Sequence, residues 1–117
     1  GRLLCLDAAT RARVWWFQAG DAVLSAPAVA GGRVVFGSFD GHVYALDAPT
    51  KTFVWEAPVA IGDVLRAKPA LNADASLLFV AGFERGRVHA IDTATGQLKS
   101  AWGTELADPG RCRVICR

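Results

Sequence analysis

Short apolar runs of about six residues, separated by turns rich in glycine, proline and aspartate, make up most of this chain. Arg33–Ser38 and His42–Asp47 are two such runs, and the turn between them carries Asp40 and Gly41. This spacing is typical of β-strands joined by tight turns. No segment keeps the 3.6-residue apolar period of a helix, so the pattern predicts an all-β fold.

One phrase occurs three times, as Gly1–Asp7, Gly41–Asp47 and Gly86–Asp92. A small polar turn and a tryptophan follow each copy: Trp15, Trp55 and Trp102. The three aspartates, Asp7, Asp47 and Asp92, lie 40 and then 45 positions apart. A repeat of this length with four short strands is the unit of a β-propeller, whose blades bury their apolar faces against one another.

The strand count predicts a partial propeller of about two and a half four-stranded antiparallel blades. Two strands precede Ser25 and two sets of four follow, so we assign a half blade to residues 1–18 and full blades to 19–58 and 59–103. Residues 104–117 are interpreted as a divergent tail or the start of another blade. Because two and a half blades cannot close a ring, we expect either a segment of a longer propeller or self-association of copies.

The first and fourth strands of the two full blades are also predicted from the repeat. The first strands are placed at Leu24–Val29 and within Asp63–Leu71, and the fourth strands at Thr52–Glu56 and Gln97–Trp102.

The segment from Ala45 to Trp55 resembles the tryptophan-docking repeat of the pyrroloquinoline-quinone (PQQ) type β-propellers, with the pattern Ala-x-Asp-x-x-Thr-Gly-x-x-x-Trp. The first copy has Cys5 for the alanine and Arg11 for the glycine, and the third delays its tryptophan by two residues. The turn Gly37–Gly41 is also similar to this family, and the resemblance covers residues 1–103.

The resemblance implies one of two functional classes. Quinoprotein dehydrogenases hold PQQ between a tryptophan and a disulfide of adjacent cysteines, bind Ca²⁺, and use an aspartate as base. Other members, such as an outer-membrane assembly lipoprotein, are platforms for protein partners. This chain has no adjacent cysteines, so we expect no cofactor in this segment and a non-catalytic platform in the bacterial periplasm or envelope. A PQQ-dependent alcohol or sugar dehydrogenase fragment is the main alternative, and the sensor propeller of a signalling protein is a third.

The repeated motif residues are expected to be structural. Each tryptophan can pack between neighbouring blades while its indole N–H reaches a backbone acceptor. Each aspartate, with the threonine that follows it, can bond local backbone and fix the turn between the third and fourth strands.

Two pairs of polar residues are candidates for binding. Arg66 and Lys68 lie two apart on a predicted first strand, so both side chains would face the central channel and hold a ligand carboxylate or phosphate. A solvated channel wall, or pairing with Asp63 or an acid of a neighbouring blade, is the simpler explanation of both residues. Asp21 and Asp63 follow a glycine at the loops between blades, where propellers present partner-binding residues, although turn chemistry alone also accounts for them.

Composition excludes several other functions. The 117 residues carry a dispersed net charge of +2 and 52% hydrophobic residues, so a nucleic-acid groove is not expected. No apolar stretch reaches the length of a transmembrane helix. The three cysteines, Cys5, Cys112 and Cys116, form no disulfide framework or zinc motif, and Cys5 occupies a small-residue position in its strand.

Overall fold

The computed structural model describes residues 1–102, with side chains described through residue 99. These residues form β-strands joined by turns and contain no helix, so within them no helix is available to cross a membrane. The strands are β1 Arg2–Leu6, β2 Arg13–Gln18, β3 Ala28–Ala30, β4 Arg33–Gly37, β5 His42–Asp47, β6 Val59–Ala60, β7 Ala70–Leu71, β8 Leu77–Ala81, β9 Val88–Asp92 and β10 Leu98–Trp102.

The strands pair as three antiparallel sheets in chain order. The first sheet is the hairpin β1-β2, the second is β3-β4-β5-β6, and the third is β7-β8-β9-β10. The predicted all-β fold of one half blade and two four-stranded blades is therefore confirmed. The Gly31-Gly32 turn that joins β3 to β4 has both φ angles positive, at 57° and 74°, as a tight hairpin turn requires.

The first strands of the full blades are shorter than predicted. β3 begins at Ala28, directly after Pro27, and β7 begins at Ala70, directly after Pro69. Proline has no backbone N–H and cannot donate to a sheet ladder, so regular pairing starts only beyond it. Residues 61–69, including Arg66 and Lys68, consequently lie in the connection before β7, and their predicted placement on a strand is wrong.

The fourth strand of the second sheet differs as well. Instead of Thr52–Glu56, the strand is β6, and only a bridge from Phe53 to Leu46 marks the predicted segment. Val54 N still donates to the Ala45 carbonyl of β5 at 3.0 Å, but residues 54–57 form bends. The chain pairs with β5 again where Val59 lies opposite Val43. The second sheet therefore extends two residues past the predicted boundary at residue 58.

The core lies between the sheets. Between the second and third sheets, Val43, Ala45 and Trp55 pack with Leu78 and Ile91. Between the first and second sheets the buried residues are Phe36, Tyr44 and Leu46, against which Leu3, Trp15 and Phe17 pack. Face-to-face packing of successive sheets is the arrangement of propeller blades.

The third strands show which side of each sheet meets which neighbour. In β5, Tyr44 and Leu46 face the first sheet, whereas Val43 and Ala45 face the third, because successive strand residues point to opposite faces. The repeat equivalents of Tyr44 and Leu46 in β1 are Leu4 and Leu6, which are 56% and 54% exposed. With Val14 and Trp16 of β2 they form an open apolar face of the first sheet.

Candidate functional site

The repeated aspartates hold the turns between the third and fourth strands. Asp7 Oδ1 accepts hydrogen bonds from the amides of Ala9 and Thr10 and from the Thr10 hydroxyl. Asp92 Oδ1 accepts from two amides of its own turn, and Asp47 Oδ1 accepts from the amide and hydroxyl of Thr50. Hydrogen bonds from the turn amides, first among them the amide of Thr10 for Asp7 and that of Thr95 for Asp92, lower the pKa of both carboxyls.

Two of the repeated tryptophans join one sheet to the next. Trp15 Nε1 donates to the carbonyl of Ala48 at 2.7 Å, and Trp55 Nε1 donates to the carbonyl of Thr93 at 2.9 Å. Ala48 and Thr93 are equivalent positions, each directly after the repeated aspartate. A backbone acceptor was predicted for these N–H groups, and the structure places it in the next sheet. The side chain of Trp102 lies outside the described residues.

The turn that receives Trp55 has no room for a side chain at Gly96. A Cβ there would lie 2.7 Å from Trp55 Cγ, and Gly96 has a φ of 75°. Its repeat equivalent in the second sheet is Lys51, which has a φ of 60°. This left-handed conformation is strained for lysine and not for glycine, because lysine carries a Cβ. Lys51 Nζ lies 6.0 Å from the centre of the Trp16 ring on the open apolar face.

Exchanging the residue types at these two turns is expected to have opposite effects on stability. Gly96→Ala should lower the free energy of unfolding by about 2 kcal/mol, because it adds left-handed strain and a clash with Trp55. Lys51→Gly should raise it by up to about 1 kcal/mol by removing that strain. Urea unfolding measures both, and equal effects of the two variants would contradict the docking geometry.

The loops at the other end of the strands are organised by Asp63. Asp63 is 5% exposed, and its carboxylate accepts hydrogen bonds from the amides of Val64, Glu84 and Arg85 at 2.7, 3.0 and 2.9 Å. A Cβ on Gly82 would lie 2.0 Å from Asp63 Oδ2, so glycine permits this close approach. The predicted partner-binding residue Asp63 therefore holds the loop between β8 and β9 from inside, and its carboxylate is covered.

Asp21, the repeat equivalent of Asp63, is exposed. Its Oδ1 accepts only the amide of the next residue, Ala22, among the hydrogen bonds of the described residues. Its backbone carbonyl accepts from the terminal amine of Gly1 and from Ser38 Oγ. Asp21 thus lies at the loop end of the strands, the end at which partner contacts were predicted.

Arg66 and Lys68, the predicted anion-binding pair, are both exposed in the connection before β7. The Arg66 guanidinium carbon lies 4.5 Å from the centre of the Phe83 ring. This cation–π contact places Arg66 beside the loop that Asp63 anchors. Burial lowers the pKa of the nearby half-buried His89, and the Asp63 charge opposes this effect.

A polar cluster around Asp40 links the first two sheets. Asp40 Oδ2 accepts the Tyr44 hydroxyl at 2.5 Å and the Gly20 amide at 3.0 Å, and Oδ1 accepts the His42 amide at 2.9 Å. Burial raises the pKa of Asp40, but these hydrogen bonds and the charge of His42 outweigh it, so the pKa is lowered overall. Burial and the bond to Asp40 raise the pKa of Tyr44.

This cluster predicts a specific dependence of stability on pH. Because the pKa of Asp40 in the folded protein is below its ordinary value of 3.8, its carboxylate stabilises the fold above that pH. The contribution is lost as the pH falls through the folded pKa. Asp40→Asn should therefore be less stable than the parent at pH 7, and the difference should shrink in urea titrations below pH 3.8. A difference that stays constant with pH would contradict this.

Asp40 was not among the predicted site residues, although the Gly37–Gly41 turn that contains it carries part of the family resemblance. The signal was an aspartate before a glycine at a strand connection. Among the described side chains, no group of three His, Cys, Asp or Glu residues could hold a metal ion, and Cys5 is a free, partly buried thiol. The predictions for Cys112, Cys116 and the tail 104–117 lie outside the described residues.

Successive antiparallel sheets of up to four strands, joined face to face by tryptophans that bond to equivalent turns, define a β-propeller repeat protein. The family model described as outer membrane protein assembly factor BamB matches residues 1–116. The chain therefore belongs to this family of PQQ-type propellers.

The chain is similar to a methanol dehydrogenase and to a solved structure of BamB. The lanthanide-dependent methanol dehydrogenase of Methylacidiphilum fumariolicum (strain SolV) is 37% identical over 82 residues, covering 65% of this chain and 13% of the enzyme. The crystal structure of BamB from Moraxella catarrhalis superposes with a TM-score of 0.70 at 20% identity, covering 82% of this chain and 28% of that one. The chain spans less than a third of either protein.

Proposed function

We propose that this chain is a segment of a β-propeller that acts as a rigid, non-catalytic platform for binding or assembling another protein. The observation that carries the proposal is the loop between β8 and β9, which the buried Asp63 holds through the amides of Glu84 and Arg85. Both side chains are exposed on that loop. A partner that binds a loop already held in one conformation loses little conformational entropy, which favours recognition there.

Other residues at the same end of the strands add to this surface. Asp21, Arg66 and Phe83 lie in or beside the connections at the same end of the strands, and end-face loops on a rigid scaffold are common binding sites. The proposed surface carries charges of both signs, which suits a polar protein partner. The family description supports a place in the bacterial cell envelope, in the periplasm beside the outer membrane.

Charge reversal tests the platform directly. The complete protein carrying Arg85→Glu should lose a cross-linked envelope partner that the parent captures, because a loop cation is replaced by an anion. Arg11→Glu is the matched control, since Arg11 is exposed in a turn at the opposite end of the strands. Equal capture by the parent and both variants would count against the loop surface.

A further proposed partner is another blade, which would cover the open apolar face of the first sheet. Leu4 and Leu6 are the repeat equivalents of Tyr44 and Leu46, which are buried between the first and second sheets. In the complete protein, Leu4→Glu is expected to lower the free energy of unfolding by about 2 kcal/mol, because it would bury an unpaired charge. Val29→Glu is the control, because Val29 is 67% exposed. If both variants lower the free energy of unfolding equally little, no blade covers the open apolar face of the first sheet.

The alternative is a segment of a PQQ-dependent dehydrogenase, which the 37% identity to a methanol dehydrogenase supports. Residues 1–99 contain neither adjacent cysteines nor three metal-ligating side chains together. The resemblance implies that PQQ is held against a disulfide of adjacent cysteines and that carboxylate and amide oxygens bind Ca²⁺. In this alternative other blades hold both, and the exposed Arg66 and Lys68 would attract an anionic cofactor.

An activity assay separates the two proposals. The complete protein, incubated with PQQ and either Ca²⁺ or a lanthanide, is expected not to reduce an electron-accepting dye with alcohols or sugars. Turnover that disappears when PQQ is omitted would establish the dehydrogenase instead. The Arg85→Glu variant should behave as the parent in this assay under either proposal.

A further inference from the structure

A cavity of about 270 Å³ lies between the second and third sheets, at the end opposite the Asp63 loop. Small residues leave it open: Ala30, Gly31 and Ala45 on the second sheet, and Ala75 on the third. A Cβ added at Gly31 would meet nothing within 4 Å, so the mouth beside the β3–β4 turn is uncrowded.

One wall of the cavity is aromatic. Trp55 lines it with an indole whose N–H is already bonded to the carbonyl of Thr93. The polar atom of the ring is therefore satisfied, and the ring can contribute apolar contact to a bound molecule. Val35 and Leu71 extend the apolar lining.

Among the described residues that line the cavity, Arg33 is the single cation. Its Nη1 donates to the Thr93 carbonyl at 3.2 Å, and a guanidinium has five N–H donors in all. No carboxylate of the described residues lies within ion-pair distance of Arg33. The acid opposite it in the ladder, Asp47, directs Oδ1 to Thr50 in its own turn.

We infer that this cavity binds a small aromatic monocarboxylate, with the ring against Trp55 and the carboxylate on Arg33. An arginine pairs with a carboxylate through two parallel N–H bonds. Pockets for drug-sized ligands usually measure about 300–1,000 Å³, so 270 Å³ suits a molecule with one ring. This site is independent of the proposed platform, because it lies at the other end of the strands.

Benzoate is the probe for this site, and benzyl alcohol is its uncharged counterpart. Titration calorimetry of the complete protein should show saturable benzoate binding with a Kd on the order of 1 mM or tighter. Arg33→Gln should weaken benzoate at least tenfold and leave benzyl alcohol within about twofold. Arg13→Gln, at an exposed arginine of β2, is the matched control and should bind benzoate as the parent does.

Two further measurements locate the ligand. Benzoate should shift the Trp55 indole N–H resonance in a ¹H–¹⁵N spectrum, and Ala30→Phe should abolish binding by filling the cavity, with thermal melting confirming that each variant is folded. The absence of saturable benzoate binding to the parent would overturn the inference. Equal benzoate affinity in Arg33→Gln and the parent would overturn it as well.

Discussion

Replacing Trp55 with alanine is expected to lower the free energy of unfolding by about 3–5 kcal/mol. Trp55 is 5% exposed and packs in the core between the second and third sheets, so loss of its indole leaves a large void. Its N–H bond to Thr93 is lost as well. Equilibrium unfolding in urea, followed by far-UV circular dichroism, measures the change.

Two control variants separate packing from hydrogen bonding at Trp55. Trp55→Phe keeps most of the ring contacts and removes the indole donor, so we expect a loss of about 1–2 kcal/mol. Leu24→Ala shortens a side chain that is 64% exposed and should cost less than about 0.5 kcal/mol. An effect of Trp55→Ala below about 1 kcal/mol would contradict its role in joining the sheets.

Replacing Asp63 with alanine is expected to lower the free energy of unfolding by about 3 kcal/mol. The substitution removes a buried carboxylate that accepts hydrogen bonds from three backbone amides. A hydrogen bond to a charged group contributes about 1.5–3 kcal/mol, and part of this loss is offset because the freed amides can bond to water. The loop between β8 and β9 should also lose its fixed conformation. Hydrogen exchange should therefore accelerate at the amides of Glu84 and Arg85.

Asp21→Ala is the matched control, because Asp21 is the repeat equivalent of Asp63 but is exposed with one carboxylate bond to its own neighbour. We expect Asp21→Ala to lower the free energy of unfolding by less than about 0.5 kcal/mol. If Asp63→Ala and Asp21→Ala lower the free energy of unfolding by the same amount, the buried carboxylate does not organise the loop. The proposed platform would then lose the observation on which it rests.

The repeat in the sequence predicted the sheet order because each blade uses the same phrase for its third strand and the following turn. It also pointed to the contacts of Trp15 and Trp55, since a regularly spaced tryptophan after a polar turn has the same surroundings in each blade. Pro27 and Pro69 in the sequence indicate the late start of β3 and β7, because a proline has no N–H to donate to the neighbouring strand.

Other features depend on parts of the chain that are distant in sequence. The bend at residues 54–57 accompanies the approach of Trp55 to Thr93 in the next sheet. Asp21 and Asp63 both follow a glycine, yet only Asp63 meets a longer strand connection whose amides reach it. The cavity beside Arg33 likewise forms only when two sheets pack together.

Exchange of the tryptophan indole protons with deuterium tests most directly the central claim that repeated tryptophans join the blades. Trp15 and Trp55 donate to Ala48 and Thr93, so their indole protons should persist in ¹H–¹⁵N spectra after transfer to D₂O. Trp16, 38% exposed, is the internal reference in the isolated chain and should exchange at once. Exchange of Trp55 as fast as Trp16 would contradict the docked arrangement of the blades.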